Sequence, residues 1–230
     1  QAFPPAGGYG AINQSGMGCW LALVLARKCG VKDAVVPQAI ERSKRFFSFY
    51  IGKGSIPYGD HAPFYFLHDN NGKNAMAAVT FDLLDEEQGA RFFSRMSTAA
   101  YGERELGHTG NFFSYLWGPL GVARAGSEAL AAHLAEQRWF YDLARRWDGG
   151  FTYQGGAAAG DSYEGWDTTG SFLLTYAAVM PRLGAEAQGM NPYDELGIGA
   201  RAGADEIEAA YRRRAKEAHP DSGGTADEFQ

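Results

Sequence analysis

Residues 191–230 read NPYDELGIGARAGADEIEAAYRRRAKEAHPDSGGTADEFQ, and their pattern predicts the structure of the C-terminal part of the chain. Acidic residues in the first turn, beginning at Asp205, suit the positive end of a helix. The apolar residues that follow recur at helical spacing and form one stripe: Ile207, Ala210, Tyr211, Ala215 and Ala218. Pro220 cannot continue a helix and restricts the residue before it, so the predicted amphipathic helix ends by Ala218.

The opposite face of this helix is basic, because Arg212, Arg213 and Lys216 point away from the apolar stripe on a helical wheel. A His-Pro-Asp tripeptide, residues 219–221, follows the helix, and Gly223 and Gly224 then mark a flexible loop. A purely structural interpretation is a surface helix that ends at a proline and whose charges are only solvated.

This order of features resembles the J-domain, with which DnaJ-like co-chaperones stimulate the ATPase of DnaK-type chaperones. Three motifs carry the resemblance: Pro192-Tyr193-Asp194-x-Leu196-Gly197, Tyr211-Arg212-Arg213-x-Ala215-Lys216 and His219-Pro220-Asp221. The resemblance implies that the tripeptide contacts a DnaK-type partner and that the basic face docks on its acidic surface. It assigns no bond chemistry to this segment.

The segment departs from the family pattern at three places. Arg214 stands where the family has a leucine, and Ala218 stands where a large aromatic residue precedes the loop. The sequence ends at Gln230, in the first turn of the expected third helix, so we expect a truncated J-domain hairpin over residues 191–230. A hairpin of that size buries too little apolar surface to be stable alone.

The composition excludes several classes of protein. The formal net charge is −6, which argues against general nucleic-acid binding. The longest apolar run, Cys19 to Ala26, is far shorter than the roughly 20 residues that cross a membrane. Cys19 and Cys29 are predicted on one core helix about 15 Å apart, too far for a disulfide. No cofactor is predicted.

Residues 1–188 alternate Gly-rich polar turns with helical segments. Apolar, small-residue-rich helices follow the turns and are predicted to end near Cys29, Leu84, Ala125 and Leu183. More polar amphipathic helices are predicted near 37–52, 86–101 and 127–147. The sequence therefore predicts inner helices covered by outer ones, with a short linker at residues 184–191 before the C-terminal segment.

This region resembles the α/α toroid of terpenoid cyclases and protein prenyltransferase β-subunits, by way of an uncharacterised bacterial family of that type. The resemblance is carried by HDNNGKNAM (68–76), GHTGNFFSYLWGPLG (107–121), GGFTYQGG (149–156) and YEGWDTTGSF (163–172). It implies an all-α fold. A closed toroid has about six hairpins and this chain has between three and four, so we expect a partial toroid over residues 1–188.

The polar turns are predicted to place several helix N-termini around one mouth, where backbone N–H groups favour an anionic or polyhydroxylated ligand. The candidate ligand residues are Asn71, Lys73, Asn74, His108, Asn111, Trp166, Asp167 and Thr168. The alternative is that Ser15, Asn71, Thr109 and Thr168 only cap helices. The histidines at 61, 68 and 108 lack a metal-ligand spacing, so no metal site is predicted.

Two functions follow. The first is a J-domain co-chaperone, cytoplasmic, that recruits a DnaK-type chaperone to whatever the toroid binds. The second makes the toroid an exported enzyme or binding domain of unknown reaction for a glycan or small anion, with a vestigial J-like tail. A third alternative is an unfinished reading frame, because both ends of the sequence look cut.

Overall fold

The computed structural model describes residues 12–59, 61–63, 65, 67–69, 71–105, 112–155, 163–179, 196–199 and 202–218. The backbone of these residues forms eight α-helices, two short 3-10 helices and no β-strand, which confirms the all-α prediction. The α-helices are α1 (Asn13–Lys28), α2 (Val35–Ser48), α3 (Lys73–Leu83), α4 (Glu87–Ala99), α5 (Phe112–Val122), α6 (Ser127–Ala144), α7 (Thr169–Val179) and α8 (Ala204–Ala218). The 3-10 helices are Gly102–Glu105 and Ala123–Ala125.

The first seven helices form two layers. Helices α1, α3, α5 and α7 contact one another in chain order, and α2, α4 and α6 each pack on the helix that precedes them. Each predicted polar helix thus packs on the apolar helix before it, as the sequence predicts. Closure into a toroid remains a prediction. None of the described helices is long and apolar enough to cross a membrane.

Helix α3 lies at the centre of the described domain. Every residue from Lys73 to Phe81 is buried, whereas α2 buries only Val36, Ile40 and Phe47. The small residues of α3 allow neighbouring helices to approach it from several sides, while the polar residues of α2 keep one face in water. The difference in sequence between the two kinds of helix therefore sets their positions.

Aromatic residues join the two layers. The ring of Trp20 on α1 stacks on Phe47 of α2 with 5.2 Å between centroids and meets the edge of Phe81 on α3 at 5.0 Å. A second cluster contains Tyr115 of α5 stacked on Phe140 of α6 at 3.6 Å. Such pairs add about 0.5–1.5 kcal/mol each beyond the apolar area they bury.

Helices α3 and α5 touch backbone to backbone. A Cβ atom on Gly121 would lie 2.6 Å from the Cα of Ala75, closer than carbon atoms can approach. Position 121 therefore requires glycine for steric reasons, because any side chain would separate the two inner helices.

Proline interrupts the hydrogen bonding of α5 without ending the helix. Pro119 lacks the N–H that would bond to the carbonyl oxygen of Tyr115, four residues earlier. The buried hydroxyl of Tyr141 on α6 donates to that oxygen instead, at 2.8 Å. This bond gives the Tyr115 carbonyl a donor from another helix and links α5 to α6.

Several helix limits differ from the predictions. Helix α1 begins at Asn13, whose backbone N–H donates to the carbonyl of Tyr58 at 2.7 Å. Helix α5 ends at Val122, and the predicted continuation to Ala125 is a 3-10 helix. Helix α6 ends at Ala144 because Arg145 has an extended backbone. The predicted end of α7 near Leu183 lies outside the described residues.

The prediction that both cysteines lie inside a core helix is wrong. Cys19 lies on the exposed side of α1, and Cys29 follows the end of that helix; both thiols are free and exposed. The buried side of α1 is formed by Met17, Trp20, Leu21 and Val24 together with Asn13. The apolar character of the helix sequence did not show which of its residues face the core, and the cysteines were therefore predicted to be buried.

Candidate functional site

The starts of α1 and α3 are joined at one end of the domain. The side-chain amide of Gln14 donates to the backbone carbonyl of Asn71 at 3.2 Å. Asn71 has a left-handed backbone with φ 50, which asparagine tolerates better than most residues. The side-chain oxygens of Gln14 and Asn71 are buried and have no hydrogen-bond partner in the described part of the chain.

A buried carboxylate caps α3. The two oxygens of Asp69 accept the backbone N–H groups of Asn74 and Ala75 at 3.0 and 3.1 Å. Burial raises the pKa of Asp69 to about 6, an effect partly offset by these N–H groups and by the Lys73 ammonium. Burial in turn lowers the pKa of Lys73 to about 8, and Asp69 counteracts that change. The two residues form a charged pair inside the protein.

A second buried cation lies near this pair. Arg104 is only 4% exposed and donates to the carbonyl of Ser97 at 2.9 Å. Burial lowers its pKa, and the carboxylate of Asp69 is the first of the groups that raise it. Arg104 and His133 both pack against the face of α5 at Gly118. Burial, followed by the charge of Arg104, lowers the pKa of His133 to about 3, so His133 is neutral.

Polar atoms without partners line the contact between α5 and α6. They are Ser114 Oγ on α5 and His133 Nε2 and Gln137 Oε1 on α6, and none has a hydrogen-bond partner in the described part of the chain. Buried polar groups are expensive unless they are bonded. This contact therefore carries unused hydrogen-bonding capacity close to the charge of Arg104.

The start of α7 carries an exposed ionic network. The Arg146 guanidinium bonds to Asp148 at 3.0 Å and to Asp167 at 2.8 Å. The carboxylate of Asp167 also accepts the N–H of Thr169 at 2.9 Å, so it caps α7. This backbone bond, followed by the bond from Arg146, lowers the pKa of Asp167 to about 2. Asp167 therefore stays ionised and is held by two partners.

Aromatic rings lie between the start of α7 and the start of α3. The half-exposed ring of Trp166 meets Tyr163 at 4.2 Å, and Tyr163 lies 6.0 Å from the ring of Phe113. A Cβ on Gly72 would lie 2.5 Å from the carbonyl oxygen of Phe113. These contacts place the two groups of candidate residues at the same end of the domain.

The C-terminal helix α8 has the predicted amphipathic character. Ala210 is buried, Ile207 and Tyr211 are half-buried, and Arg212 and Arg213 are exposed. Lys216 lies within α8, but its side chain is outside the described part of the structure, as are His219, Pro220 and Asp221.

Comparison with known families follows this division of the chain. Residues 2–184 match a family described as Domain of unknown function (DUF6288). The chain belongs to the DUF6288 family. Residues 191–230 match the DnaJ domain. No curated protein and no solved structure matches the chain.

The predicted ligand residues of the DUF6288 domain differ in their exposure to solvent. Asn71, Lys73, Asn74 and Thr168 are buried, whereas Trp166 and Asp167 are exposed. Asn74 has a structural role, because its oxygen accepts the N–H of Ile56 at 3.1 Å. His108 and Asn111 lie outside the described residues.

The prediction that Ser15, Asn71 and Thr168 cap helices of the DUF6288 domain is wrong. Ser15 lies within α1, and the side-chain oxygens of Asn71 and Thr168 have no partner among the described residues. Asp69 and Asp167 provide the caps instead, because their carboxylates reach N–H groups two to six residues ahead. Thr109, the fourth predicted cap, lies outside the described part of the chain.

Sequence reasoning did not identify Arg104 and His133. Arg104 follows an outer helix in a short 3-10 segment, where no pattern predicts burial. His133 left a signal, since it falls on the stripe of α6 formed by the buried residues Leu130, His133, Gln137, Phe140, Tyr141 and Ala144. No group of three or more His, Cys, Asp and Glu side chains suited to a metal ion occurs among the described residues.

Proposed function

We propose that this protein is a co-chaperone of the J-domain type that stimulates ATP hydrolysis by a DnaK-type chaperone. The observation that carries the proposal is the DnaJ domain at residues 191–230, whose helix α8 exposes Arg212 and Arg213. Residues 190–230 contain nine Asp/Glu and only five Lys/Arg, so the segment as a whole would repel a polyanion. A protein partner needs to contact only the basic face, so a protein with a local acidic docking surface suits it better.

The basic face is available to a partner at small cost. Arg212 pairs with Glu208 one turn earlier at 2.6 Å, and both side chains are well exposed. Exposed pairs of this kind contribute less than about 1 kcal/mol. Arg212 can therefore exchange Glu208 for an acidic group of the chaperone with little loss of stability.

The His219-Pro220-Asp221 segment, which follows α8 in the sequence, acts as the effector. An effector changes the chaperone's ATPase only by binding its conformations with different affinities, so these residues contact the chaperone and take no part in bond chemistry. The function places the protein in a compartment with a DnaK-type chaperone, which we propose is the cytoplasm.

The decisive experiment is single-turnover ATP hydrolysis by a DnaK-type chaperone with the full chain and with the His219→Gln variant. We expect the full chain to accelerate hydrolysis and the variant to lose that acceleration while keeping its helical circular dichroism. The matched control is His61→Gln, an exposed histidine of the DUF6288 domain. Full stimulation by His219→Gln contradicts the proposal.

The basic face is tested with the double variant Arg212→Ala, Arg213→Ala. We expect weaker stimulation that added chaperone partly restores, because exposed interface charges chiefly speed association. The control is Arg138→Ala, since Arg138 forms an exposed pair with Asp142 on α6 that mirrors Arg212 and Glu208. An equal loss with both variants, or none with either, rejects a role for this face.

We propose as a second candidate that the DUF6288 domain binds a polyhydroxylated ligand, such as a neutral glycan, at the end where α1 and α3 begin. The supporting observation is the pair of unpartnered acceptor oxygens on Gln14 and Asn71. Acceptor oxygens and the fixed charge of Asp167 favour hydroxyl donors over anions, and the half-exposed ring of Trp166 suits the apolar face of a sugar. On this view the J-like tail is vestigial.

A glycan array of neutral and acidic oligosaccharides tests the second candidate, with isothermal titration on any compound retained. We expect binding of neutral sugars that is lost in Trp166→Ala and kept in Trp139→Ala, whose half-exposed tryptophan lies on helix α6. Retention of acidic sugars alone, or equal binding by both variants, contradicts this assignment.

A further inference from the structure

We propose that the turn at residues 146–150 of the DUF6288 domain is the docking surface for helix α8, with Tyr211 as the anchor. The hydroxyl of Tyr211 donates to the carbonyl oxygen of Gly149 at 2.8 Å, across 62 residues of sequence. Ala210, the preceding residue on the apolar stripe, is 1% exposed. The occupant of this surface is thus a segment of the same chain.

The turn is built to hold that carbonyl in place. The N–H of Arg146 donates to the carbonyl of Gly150 at 2.7 Å, and the N–H of Gly149 donates back to Arg146 at 3.0 Å. The carboxylate of Asp148 accepts the N–H of Gly150 at 3.0 Å and pairs with the Arg146 guanidinium. Gly149 has φ 83, a conformation that favours glycine. The turn is therefore held by bonds within residues 146–150, and none of these bonds involves α8.

Apolar surface lies beside the hydrogen bond. Phe151 continues from the turn into the core, where its ring lies 5.6 Å from Phe172 and 6.4 Å from Tyr176. Burial raises the pKa of Tyr176, and the neighbouring phenol of Tyr211 contributes a smaller effect in the same direction. The hydroxyl of Tyr211 is therefore bound two residues before Phe151, which belongs to this aromatic cluster.

The docking compensates for the low intrinsic stability of α8. A helix of 15 residues is marginal in water, and most helical stability comes from packing of its apolar face. Consecutive residues are about 100° apart on a helix, so anchoring Tyr211 to the turn leaves Arg212 and Arg213 directed elsewhere. Both arginines are exposed in this arrangement. This last step rests on the proposed co-chaperone function: the DUF6288 domain presents the basic face in a fixed orientation.

Amide hydrogen exchange of the full chain, read by mass spectrometry, tests the docking. We expect peptides from α8 to be protected and Tyr211→Phe to speed their exchange about two- to tenfold, the effect of losing one net hydrogen bond. Asp148→Ala leaves α8 intact and loosens the turn, so it should speed exchange in α8 as well. The control is Tyr101→Phe, which removes an exposed hydroxyl from another surface.

A double variant that combines Tyr211→Phe with Asp148→Ala tests whether the two residues act through the same contact. If Tyr211 docks on this turn, the effect of Tyr211→Phe on α8 becomes small once Asp148→Ala is present. Exchange in α8 that is unprotected, or that neither variant changes, overturns the docking. The chaperone assay is separate: loss of all ATPase stimulation with protected α8 rejects the co-chaperone function and leaves the docking intact.

Discussion

At the scale of the residue, a single hydroxyl satisfies the hydrogen bond that Pro119 removes from α5. Replacing Tyr141 with phenylalanine removes the hydroxyl that donates to the buried carbonyl of Tyr115. We expect Tyr141→Phe to lower the free energy of unfolding by about 0.5–1.5 kcal/mol, the usual net contribution of one hydrogen bond. Denaturant unfolding measures this change. Tyr101→Phe is the control, and an equal stability of both variants contradicts the interpretation of Pro119.

At the scale of the element, the contact between α3 and α5 depends on Gly121. Gly121→Ala gains up to about 1 kcal/mol of helix propensity but forces a methyl group against the backbone of Ala75. The backbone cannot move aside as a flexible side chain can, so we expect the clash to outweigh the gain in helix propensity. The free energy of unfolding should fall by about 1–3 kcal/mol.

Gly18 provides the opposite case within the same kind of element. It lies inside α1, and a Cβ there would meet nothing within 4 Å. Gly18→Ala should therefore raise the thermal midpoint while Gly121→Ala lowers it. A stabilising effect at both positions would mean that α3 and α5 are not in backbone contact.

At the scale of the whole molecule, buried ionisable groups set how stability depends on pH. The pKa of His133 is about 3 in the folded protein, below its ordinary value of 6.5. Between these two pH values His133 binds a proton in the unfolded chain but not in the folded protein. The free energy of unfolding therefore falls as pH decreases from 6.5 towards 3. The slope approaches about 1.4 kcal/mol per pH unit.

Asp69 acts in the opposite sense, because its pKa is raised from 3.8 to about 6 and the folded protein gains stability as pH falls through this range. The comparison of the protein with a His133→Leu variant isolates the histidine. Because the variant lacks the loss of stability caused by His133, we expect its urea midpoint, relative to that of the parent protein, to rise as pH decreases from 6.5 to 4. If the urea midpoints of both proteins changed with pH in parallel, the pKa of His133 would not be lowered by burial.

Across the whole molecule, the helices could be predicted from the sequence, whereas contacts between distant parts of the chain could not. Local patterns suffice for the helices: the small apolar run of α3, the stripe of α8 and the exposed Arg212 and Arg213 all follow from spacing. Burial of Arg104 and the two carboxylate caps do not, because they depend on which loops fold back over which helix starts. The turn that meets Tyr211 belongs to this second class, since its partner is 62 residues away.

The position of α3 also has an evolutionary consequence. A helix whose residues are all enclosed from Lys73 to Phe81 has no side on which neutral substitutions can accumulate. Outer helices such as α2 can change most of their surface without disturbing the interior. Diverging descendants of this sequence should therefore drift apart in their outer layer first, and a short, nearly invariant segment around KNAMAAVTF should outlast the rest as their mark of common ancestry.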